Sequence, residues 1–184
     1  MKIVTGNLKG RKIEMPKGIR PTQDKVRKAI FDILGDLEGC SFLELYAGSG
    51  AVGFEAVSRG ASELVLVEVD PECQTAIKKN IRHLELLACN LYPVDAISAV
   101  KRMHKEGRSF DVIFLDPPYY RELTKKTLHA IGEYDILAAD GFVIAQHFKK
   151  ENLPDNLGVL SLFRQKKYGD TLLSFYRHAK AGAA

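Results

Sequence analysis

Three glycines that follow an apolar run could bring a ligand against bare backbone. The run ends at Tyr46 and continues into Ala47-Gly48-Ser49-Gly50-Ala51-Val52-Gly53, which is the pattern G-x-G-x-x-G. Gly48 and Gly50 carry no side chain, so a ligand can approach the main chain at the start of a helix. Glu68 lies twenty residues after Gly48, where a carboxylate can accept both hydroxyls of a ribose. The spacing predicts a site for a nucleoside-containing cofactor.

The glycine pattern alone fits either a dinucleotide or S-adenosylmethionine. Glu44 stands four residues before Gly48, where an acid suits the ammonium group of a methionine moiety better than a pyrophosphate. Asp95 follows the third apolar run, and it could accept a hydrogen bond from an adenine amine or cap a helix. No arginine follows the glycine loop before Arg59, as expected for a cationic cofactor. We therefore expect S-adenosylmethionine. Its predicted binding residues are Glu44, Tyr46, Ala47, Gly48, Ser49, Gly50, Glu68 and Asp95.

A second motif, Asp116-Pro117-Pro118-Tyr119, follows the fourth apolar run. Two prolines stiffen the turn and remove two backbone donors, which leaves the Pro117 carbonyl as an acceptor beside Asp116. The exocyclic amine of a nucleobase is a poor nucleophile because its lone pair is delocalised into the ring. Acceptors for its hydrogens, with Tyr119 stacked on the base, would localise that pair toward a methyl carbon. We predict that Asp116, Pro117, Pro118 and Tyr119 are catalytic residues for amine methylation.

Short apolar runs alternate with helical patterns and would position both motifs. The runs cover residues 41–46, 63–68, 89–94, 110–115 and 141–147, and the helical patterns cover residues 51–58, 71–83, 96–105 and 121–133. Strand, helix and strand in alternation predict parallel pairing with helices on both faces of the sheet. Residues 159–167 and 171–176 are separated by only three residues, so the last strand must run antiparallel. The predicted fold is α/β, a Rossmann-like, mostly parallel, doubly wound sheet of seven strands.

A small extension, residues 1–36, precedes the domain predicted for residues 37–184. Residues 2–5 and 11–15 predict two extended stretches around a turn. A helix follows, with Thr22 as its expected N-cap. The predicted apolar face of this helix consists of Val26, Ala29, Ile30, Ile33 and Leu34.

The ends of the chain are basic and its middle is acidic. Residues 1–28 hold nine Lys or Arg and two Asp or Glu, residues 29–146 hold eleven and eighteen, and residues 147–184 hold seven and three. Such a distribution indicates either a polyanion held by the terminal segments or a solvated lysine-rich surface.

Composition excludes several classes of protein. The 184 residues suffice for one complete core, and no apolar stretch approaches the length of a membrane span. The start of the chain lacks the core of a signal peptide, so we expect a soluble, cytoplasmic protein without a membrane partner. Cys40, Cys73 and Cys89 have no metal-ligand spacing and are odd in number, which predicts buried free thiols and no metal site.

Together, the two motifs resemble those of the amino methyltransferases that use S-adenosylmethionine. More narrowly, Arg20-Pro21-Thr22, Ser58-Arg59-Gly60-Ala61 and Lys167-Tyr168-Gly169-Asp170-Thr171 resemble the RsmD group, bacterial enzymes that methylate the guanine N2 amine in small-subunit (16S) ribosomal RNA. The resemblance covers nearly the whole chain and implies a class I methyltransferase fold. It also implies ribosomal RNA or the small ribosomal subunit as the partner. One departure is Val94, where the family more often has glycine.

An RNA substrate would explain why both ends of the chain are basic. If the N-terminal hairpin folds beside the carboxyl ends of the strands, both ends would form one surface for phosphates. A buried site also needs an unpaired or flipped base. The residues predicted to bind RNA are Lys9, Arg11, Lys12, Arg20, Lys166, Lys167 and Tyr168. His147 either contacts RNA or is a polar residue at the end of a strand.

Other functions remain open at this point. Guanine presents N1–H and N2–H side by side to a carboxylate, which favours guanine over adenine at Asp116, although an adenine-N6 methyltransferase of DNA or RNA is the alternative. A nicotinamide-dependent oxidoreductase would explain the glycine pattern and Glu68 but not Asp116-Pro117-Pro118-Tyr119 or the basic ends. An RNA-binding protein without catalysis is the third alternative. We expect a monomer.

Overall fold

The structure is a computed structural model that describes residues 1–16, 18, 24–119 and 122–179. The chain forms two compact units, Met1–Asp95 and Ala96–Ala184. The predicted boundary between residues 36 and 37 stays a prediction.

Parallel strands joined by helices make up most of the first unit. Its elements are α1 (Asp24–Leu34), β1 (Ser41–Leu45), α2 (Ala51–Ser58), β2 (Glu63–Val67), α3 (Pro71–Leu84) and β3 (Cys89–Tyr92). The strands pair in parallel in the order β3-β2-β1, with Leu43 opposite Val65 and Val65 opposite Asn90. The last four residues of both β1 and β2 are buried, as expected where helical crossovers cover a sheet.

The N-terminal segment differs in detail from its prediction. The expected hairpin closes around one antiparallel bridge between Lys2 and Lys12, with backbone hydrogen bonds from Ile3 to Arg11 and between Met1 and Ile13, and its apolar residues Ile3 and Ile13 are buried. In α1, Val26 and Ile30 are buried as predicted, together with Phe31 and Arg27, whereas Ala29, Ile33 and Leu34 are only half-buried. The face therefore turns toward residues 27 and 31. Thr22, the expected N-cap, lies outside the described residues.

Buried charge explains part of that difference. Arg27 is 2% exposed, and its guanidinium donates to the sulfur of Met1 at 2.8 Å and to the carbonyl of Lys2 at 3.4 Å. These contacts tie α1 to the beginning of the chain. The predicted face of α1 was drawn from apolar residues alone and therefore left out Arg27. For this reason it differs from the face that is buried in the structure.

The second unit combines one parallel pair with an antiparallel array. Its elements are α4 (Ala96–Lys105), β4 (Phe110–Leu115), α5 (Leu123–Tyr134), β5 (Leu137–Phe148), β6 (Asn156–Leu157), β7 (Leu160–Tyr168) and β8 (Thr171–His178). The strand order is β4-β5-β8-β7-β6, in which only β4 and β5 pair in parallel. The predicted antiparallel last strand is confirmed, and β6 brings the number of strands in the described residues to eight rather than seven.

β5 begins four residues before its predicted start. Asp140-Gly141 is typical of a turn in sequence, yet the chain stays in the sheet, and Leu137 pairs with Phe110 before the register shifts. A Cβ on Gly141 would lie 2.9 Å from the carbonyl oxygen of Asp111. The glycine therefore permits close approach of two strands at an irregularity instead of ending the strand.

Candidate active site

The loop after β1 has a strained, left-handed backbone. Tyr46, Gly48 and Gly50 have φ values of 61°, 56° and 78°. Tyr46 carries a side chain, so its conformation costs about 1–3 kcal/mol and must be held by its surroundings. A Cβ on Gly50 would lie 2.7 Å from the ring of Phe54, which excludes larger residues there. The loop thus presents backbone at the first turn of α2, as the glycine pattern predicts.

Glu44 lies beneath this loop. Its side chain is 3% exposed, and Oε2 accepts a hydrogen bond of 2.8 Å from the backbone N–H of Gly53. The first turn of α2 has no acid of its own, so Glu44 supplies the negative charge that a helix N-terminus favours. A Cβ on Gly53 would lie 2.8 Å from this carboxylate oxygen, which explains the third glycine.

Glu68 joins the ends of β1 and β2 through three backbone donors. Its Oε2 accepts from the N–H of Gly48 at 2.7 Å, and its Oε1 accepts from the N–H groups of Val69 and Asp70, both at 2.8 Å. A carboxylate offers about four acceptor positions, so the side chain is oriented with capacity for a hydroxyl. Glu68 is therefore fixed beside the glycine loop, the arrangement that ribose binding requires.

The remaining residues predicted to bind a cofactor occupy different environments. Ala47 and Ser49 are buried, and the carbonyl of Ser49 accepts a hydrogen bond of 3.3 Å from the amide of Asn80. Asp95 is exposed and directly precedes α4. That position suits both roles proposed for it, a helix cap and an acceptor for an adenine amine.

Asn80 is a residue that sequence reasoning missed. It is 2% exposed on α3, and besides Ser49 it bonds both backbone groups of Glu14, at 2.8 Å to the N–H and 3.0 Å to the carbonyl. It therefore connects the N-terminal segment to the glycine loop. Its signal in the sequence is a polar residue three positions after Ile77 on the apolar face of α3.

In the second unit, the loop after β4 holds the acceptor motif. Asp116 and Tyr119 are half-buried, Pro117 is buried and Pro118 is exposed. The Oδ2 atom of Asp116 accepts a hydrogen bond of 2.8 Å from the side-chain amide of Gln146 on β5. The carboxylate is thus oriented by a neighbouring strand.

Tyr119 is held by two other strand ends. Its ring lies 6.0 Å from that of Phe148 between centroids, and its hydroxyl lies 3.3 Å from Oγ1 of Thr171. Thr171 begins β8, directly after the turn between β7 and β8. The aromatic ring next to Asp116 is therefore fixed in place, as a platform for a planar base requires.

Basic residues of the last hairpin lie at the same edge as this motif. β7 is antiparallel to β8, which is antiparallel to β5, so β7 runs in the direction of β4 and β5. Lys166 and Tyr168 are half-buried near its end, and Lys167 is exposed. Lys149 forms an ion pair of 2.6 Å with Asp170 in the turn. The turn therefore lies at the same sheet edge as Asp116, and the RNA-binding role of its basic residues stays a prediction.

His147 lies in the interior rather than at the surface. Its ring is fully buried, with Nε2 at 2.8 Å from the Ser174 hydroxyl and Nδ1 at 3.1 Å from the Phe148 carbonyl. Burial lowers the pKa of this imidazole, although the bond to the Phe148 carbonyl opposes that shift. Of its two interpretations, the polar strand residue is the correct one.

The N-terminal basic residues project from a segment docked on α2. The backbone N–H groups of Val4 and Thr5 donate to opposite oxygens of Glu55, at 2.8 and 2.9 Å. Lys9, Arg11 and Lys12 are exposed. Arg20 lies outside the described residues, and whether both basic ends form one surface stays a prediction.

Comparison with known proteins decides the family. The family described as Conserved hypothetical protein 95 matches residues 1–177. The chain belongs to this family. A putative rRNA methyltransferase of Bacillus subtilis is 38% identical over 181 residues, which cover 96% of this chain and 98% of that protein. The ribosomal RNA small subunit methyltransferase D of Escherichia coli is 30% identical over 185 residues, 99% of this chain and 92% of its own length. The resemblance to the RsmD group is confirmed.

Solved structures of similar proteins agree with the fold. A putative methyltransferase from Escherichia coli superimposes with a TM-score of 0.86 at 30% identity, covering 97% of both chains. A hypothetical protein of Thermus thermophilus has a TM-score of 0.83 at 29% identity, covering 96% of this chain and 99% of that one. The predicted Rossmann-like fold of class I methyltransferases is confirmed for this family member.

Three further findings concern the described part of this family member. No cluster of three potential metal ligands occurs there, and no helix there is long and apolar enough to cross a membrane. All three cysteines are free thiols, but only Cys73 is buried, whereas Cys40 and Cys89 are half-buried. The prediction of uniformly buried thiols was wrong, because Cys40 directly precedes β1 and Cys89 is the first residue of β3, where neither is fully covered.

Proposed function

We propose that this protein transfers a methyl group from S-adenosylmethionine to the exocyclic N2 amine of a guanine in small-subunit (16S) ribosomal RNA. The observation that carries the proposal is the carboxylate of Asp116, oriented by Gln146 and followed by two prolines and a fixed Tyr119. The relatives named as rRNA methyltransferases support the substrate class.

The first unit fits the cofactor through its donor and acceptor groups. S-adenosylmethionine supplies an electrophilic methyl carbon attached to a sulfonium. Residues 46–50 would hold it through backbone groups of the glycine loop, and Glu68 would accept the ribose hydroxyls. Glu44 is the acid closest in sequence to the loop for an ammonium group, and Asp95 would accept from the adenine amine.

The second unit supplies what the amine needs. Asp116 and the carbonyl of Pro117 would accept the hydrogens of the amine, which draws the nitrogen lone pair out of conjugation with the base. Tyr119 would stack on the ring and fix its plane. The amine nitrogen would take the methyl group that S-adenosylmethionine supplies, the sulfonium would leave as a neutral thioether, and the cationic nitrogen would then lose one proton to solvent. No strong general base is needed.

Guanine is the base that best matches an ionised carboxylate. Its N1–H and N2–H are adjacent donors, whereas adenine places a donor beside an acceptor. In the structure Oδ2 of Asp116 acts as an acceptor, since it receives the hydrogen bond from the Gln146 amide. This supports guanine-N2 over adenine-N6.

Phosphate contacts would come from both ends of the chain. We propose that residues 1–36 act as an RNA-binding extension through Lys9, Arg11, Lys12 and Arg20, and that Lys166, Lys167 and Tyr168 bind beside the acceptor motif. Lysine and arginine contacts to phosphate position RNA without reading its sequence. The target base would be unpaired or flipped, in a loop of the small subunit. We place the protein in the cytoplasm as a monomer.

Mass mapping of methylated nucleosides tests this proposal. Purified protein, S-adenosylmethionine and small subunits lacking the modification should yield N2-methylguanosine, and inosine in place of the target guanosine should abolish methylation because inosine lacks the N2 amine. N6-methyladenosine as the product would favour the adenine alternative. Calorimetry that shows saturable binding of NAD but not of S-adenosylmethionine would end the methyl-transfer proposal.

A further inference from the structure

Gln146 is a polar residue in the interior of β5. It is 6% exposed and lies between Ala145 and His147, both fully buried, and it pairs across the sheet with Leu173. The ladder therefore fixes its backbone, and packing restricts its side chain. An amide at such a place needs a reason, because buried polar groups cost stability unless they are bonded.

Only one end of this amide is bonded. The Nε2 group donates to Oδ2 of Asp116 at 2.8 Å, whereas the buried Oε1 has no partner among the described residues. The amide orientation follows from chemistry, since a carboxylate can only accept and the amide nitrogen can only donate. A glutamine that served the fold alone would satisfy both ends. Its single bond indicates that the side chain serves Asp116.

We propose that Gln146 is a positioning residue that holds the Asp116 carboxylate in the orientation in which it accepts the hydrogens of the target amine. This inference rests on the proposed function. The side chain of Asp116 is half-buried on a turn, whereas Gln146 lies in the ladder between β4 and β8. A bond to that rigid strand orders the carboxylate before the base arrives, so the ordering cost is not added to the reaction barrier.

The first test replaces the amide by an apolar side chain of similar length. Gln146→Met should lower kcat by about 10-fold to 100-fold, the range expected for a misplaced reacting group, with an unchanged Kd for S-adenosylmethionine. Its thermal midpoint should change little, because loss of the bond to Asp116 is offset by removal of an unbonded buried oxygen. A merely structural glutamine would lose stability and activity together.

A control with the same substitution lies at an exposed position on β7. Gln165 donates through Nε2 to the Ser174 hydroxyl at 2.9 Å and makes no bond to Asp116. Gln165→Met makes the same chemical change in the same unit, so it should leave kcat within about 2-fold of wild type.

The second test asks whether Gln146 acts through Asp116. In a double-mutant cycle, adding Gln146→Met to Asp116→Ala should change residual turnover by less than about 2-fold, because the bonded partner is already absent. Independent losses that multiply would overturn the proposal.

Gln146→Glu allows a measurement of the pH dependence of turnover, which a purely structural role of Gln146 would leave unchanged. Two adjacent carboxyls share one proton, and the protonated Glu can still donate to Asp116. The ratio of variant to wild-type turnover should therefore fall as pH rises through deprotonation of the pair. A flat ratio, or full activity of Gln146→Met, would overturn the inference. The wild-type protein is measured beside the variants in every assay. If the wild type itself does not methylate guanine N2, the proposed function is refuted instead.

Discussion

Replacement of Glu55 by glutamine should loosen the N-terminal segment at Val4 and Thr5. The carboxylate is 1% exposed and accepts two backbone N–H groups, from Val4 at 2.8 Å and Thr5 at 2.9 Å, and Nε of Arg59 at 3.3 Å. A glutamine side chain has one oxygen, so one of the two backbone donors would face an NH₂ group. Hydrogen bonds to charged groups contribute about 1.5–3 kcal/mol each, and an unpaired buried donor costs about 1–3 kcal/mol. We expect Glu55→Gln to lower the free energy of unfolding by about 2–4 kcal/mol.

Hydrogen exchange and RNA binding together measure this effect. The amides of Val4 and Thr5 should lose protection beyond the global change, and RNA affinity at matched salt should fall because the exposed Lys9 and Lys12 are no longer held in place. Affinity for S-adenosylmethionine should be nearly unchanged. Glu72→Gln, an exposed acid on α3, controls for the loss of charge. Unchanged protection of both amides at reduced global stability would refute the docking role of Glu55.

Two further substitutions and one labelling experiment test separate parts of the molecule. Asp116→Ala should keep cofactor affinity and lose turnover, and unchanged turnover would show that the acceptor is misassigned. Burial raises the pKa of the Cys73 and Cys89 thiols to about 12, so a thiol reagent at pH 8 should modify both far more slowly in the folded than in the unfolded protein, and rapid labelling mapped to Cys73 or Cys89 in the folded protein would contradict this. The hydrogen bond to Asp135 raises the pKa of His178, so the stabilisation is complete below about pH 6.5, the unfolded value, and is lost as pH rises through the folded value. His178→Gln should therefore lower the free energy of unfolding at pH 5.5 more than at pH 8.5 in urea titrations, and an equal loss at both would show that the ion pair does not contribute.

Local patterns in the sequence predicted the bounds of helices and strands correctly where the apolar spacing of the segment itself determines them. α2 and α4 begin and end where the apolar spacing predicts, and β4 has its predicted bounds. The Gly53 position also followed from its spacing, because packing of a helix on a strand requires a residue without a side chain. Long-range contacts set the rest. β5 starts early because Leu137 meets Phe110, a pairing that no local pattern contains.

Residues that orient the site were the least visible. Asn80 and Gln146 each interrupt an apolar pattern. Until its partner is known, such a polar residue shows only that the pattern is irregular. Their partners, Ser49 and Asp116, are thirty or more residues away in sequence. Polar residues inside otherwise apolar elements are therefore the places to search for residues that position the site.

Acidic residues of the first unit have a role in its loops that the sequence did not predict. The spacing of Glu44 and Glu68 from the glycines predicted only contacts with the cofactor. In the structure, Glu44, Glu55 and Glu68 each accept hydrogen bonds from backbone N–H groups. Loops with left-handed glycines expose such donors, and a carboxylate satisfies two or three at once. Part of the acidity therefore stabilises the loops, so a charge-neutral replacement at Glu44 or Glu68 would alter loop geometry as well as cofactor charge, and only a paired measurement of stability and affinity separates the two.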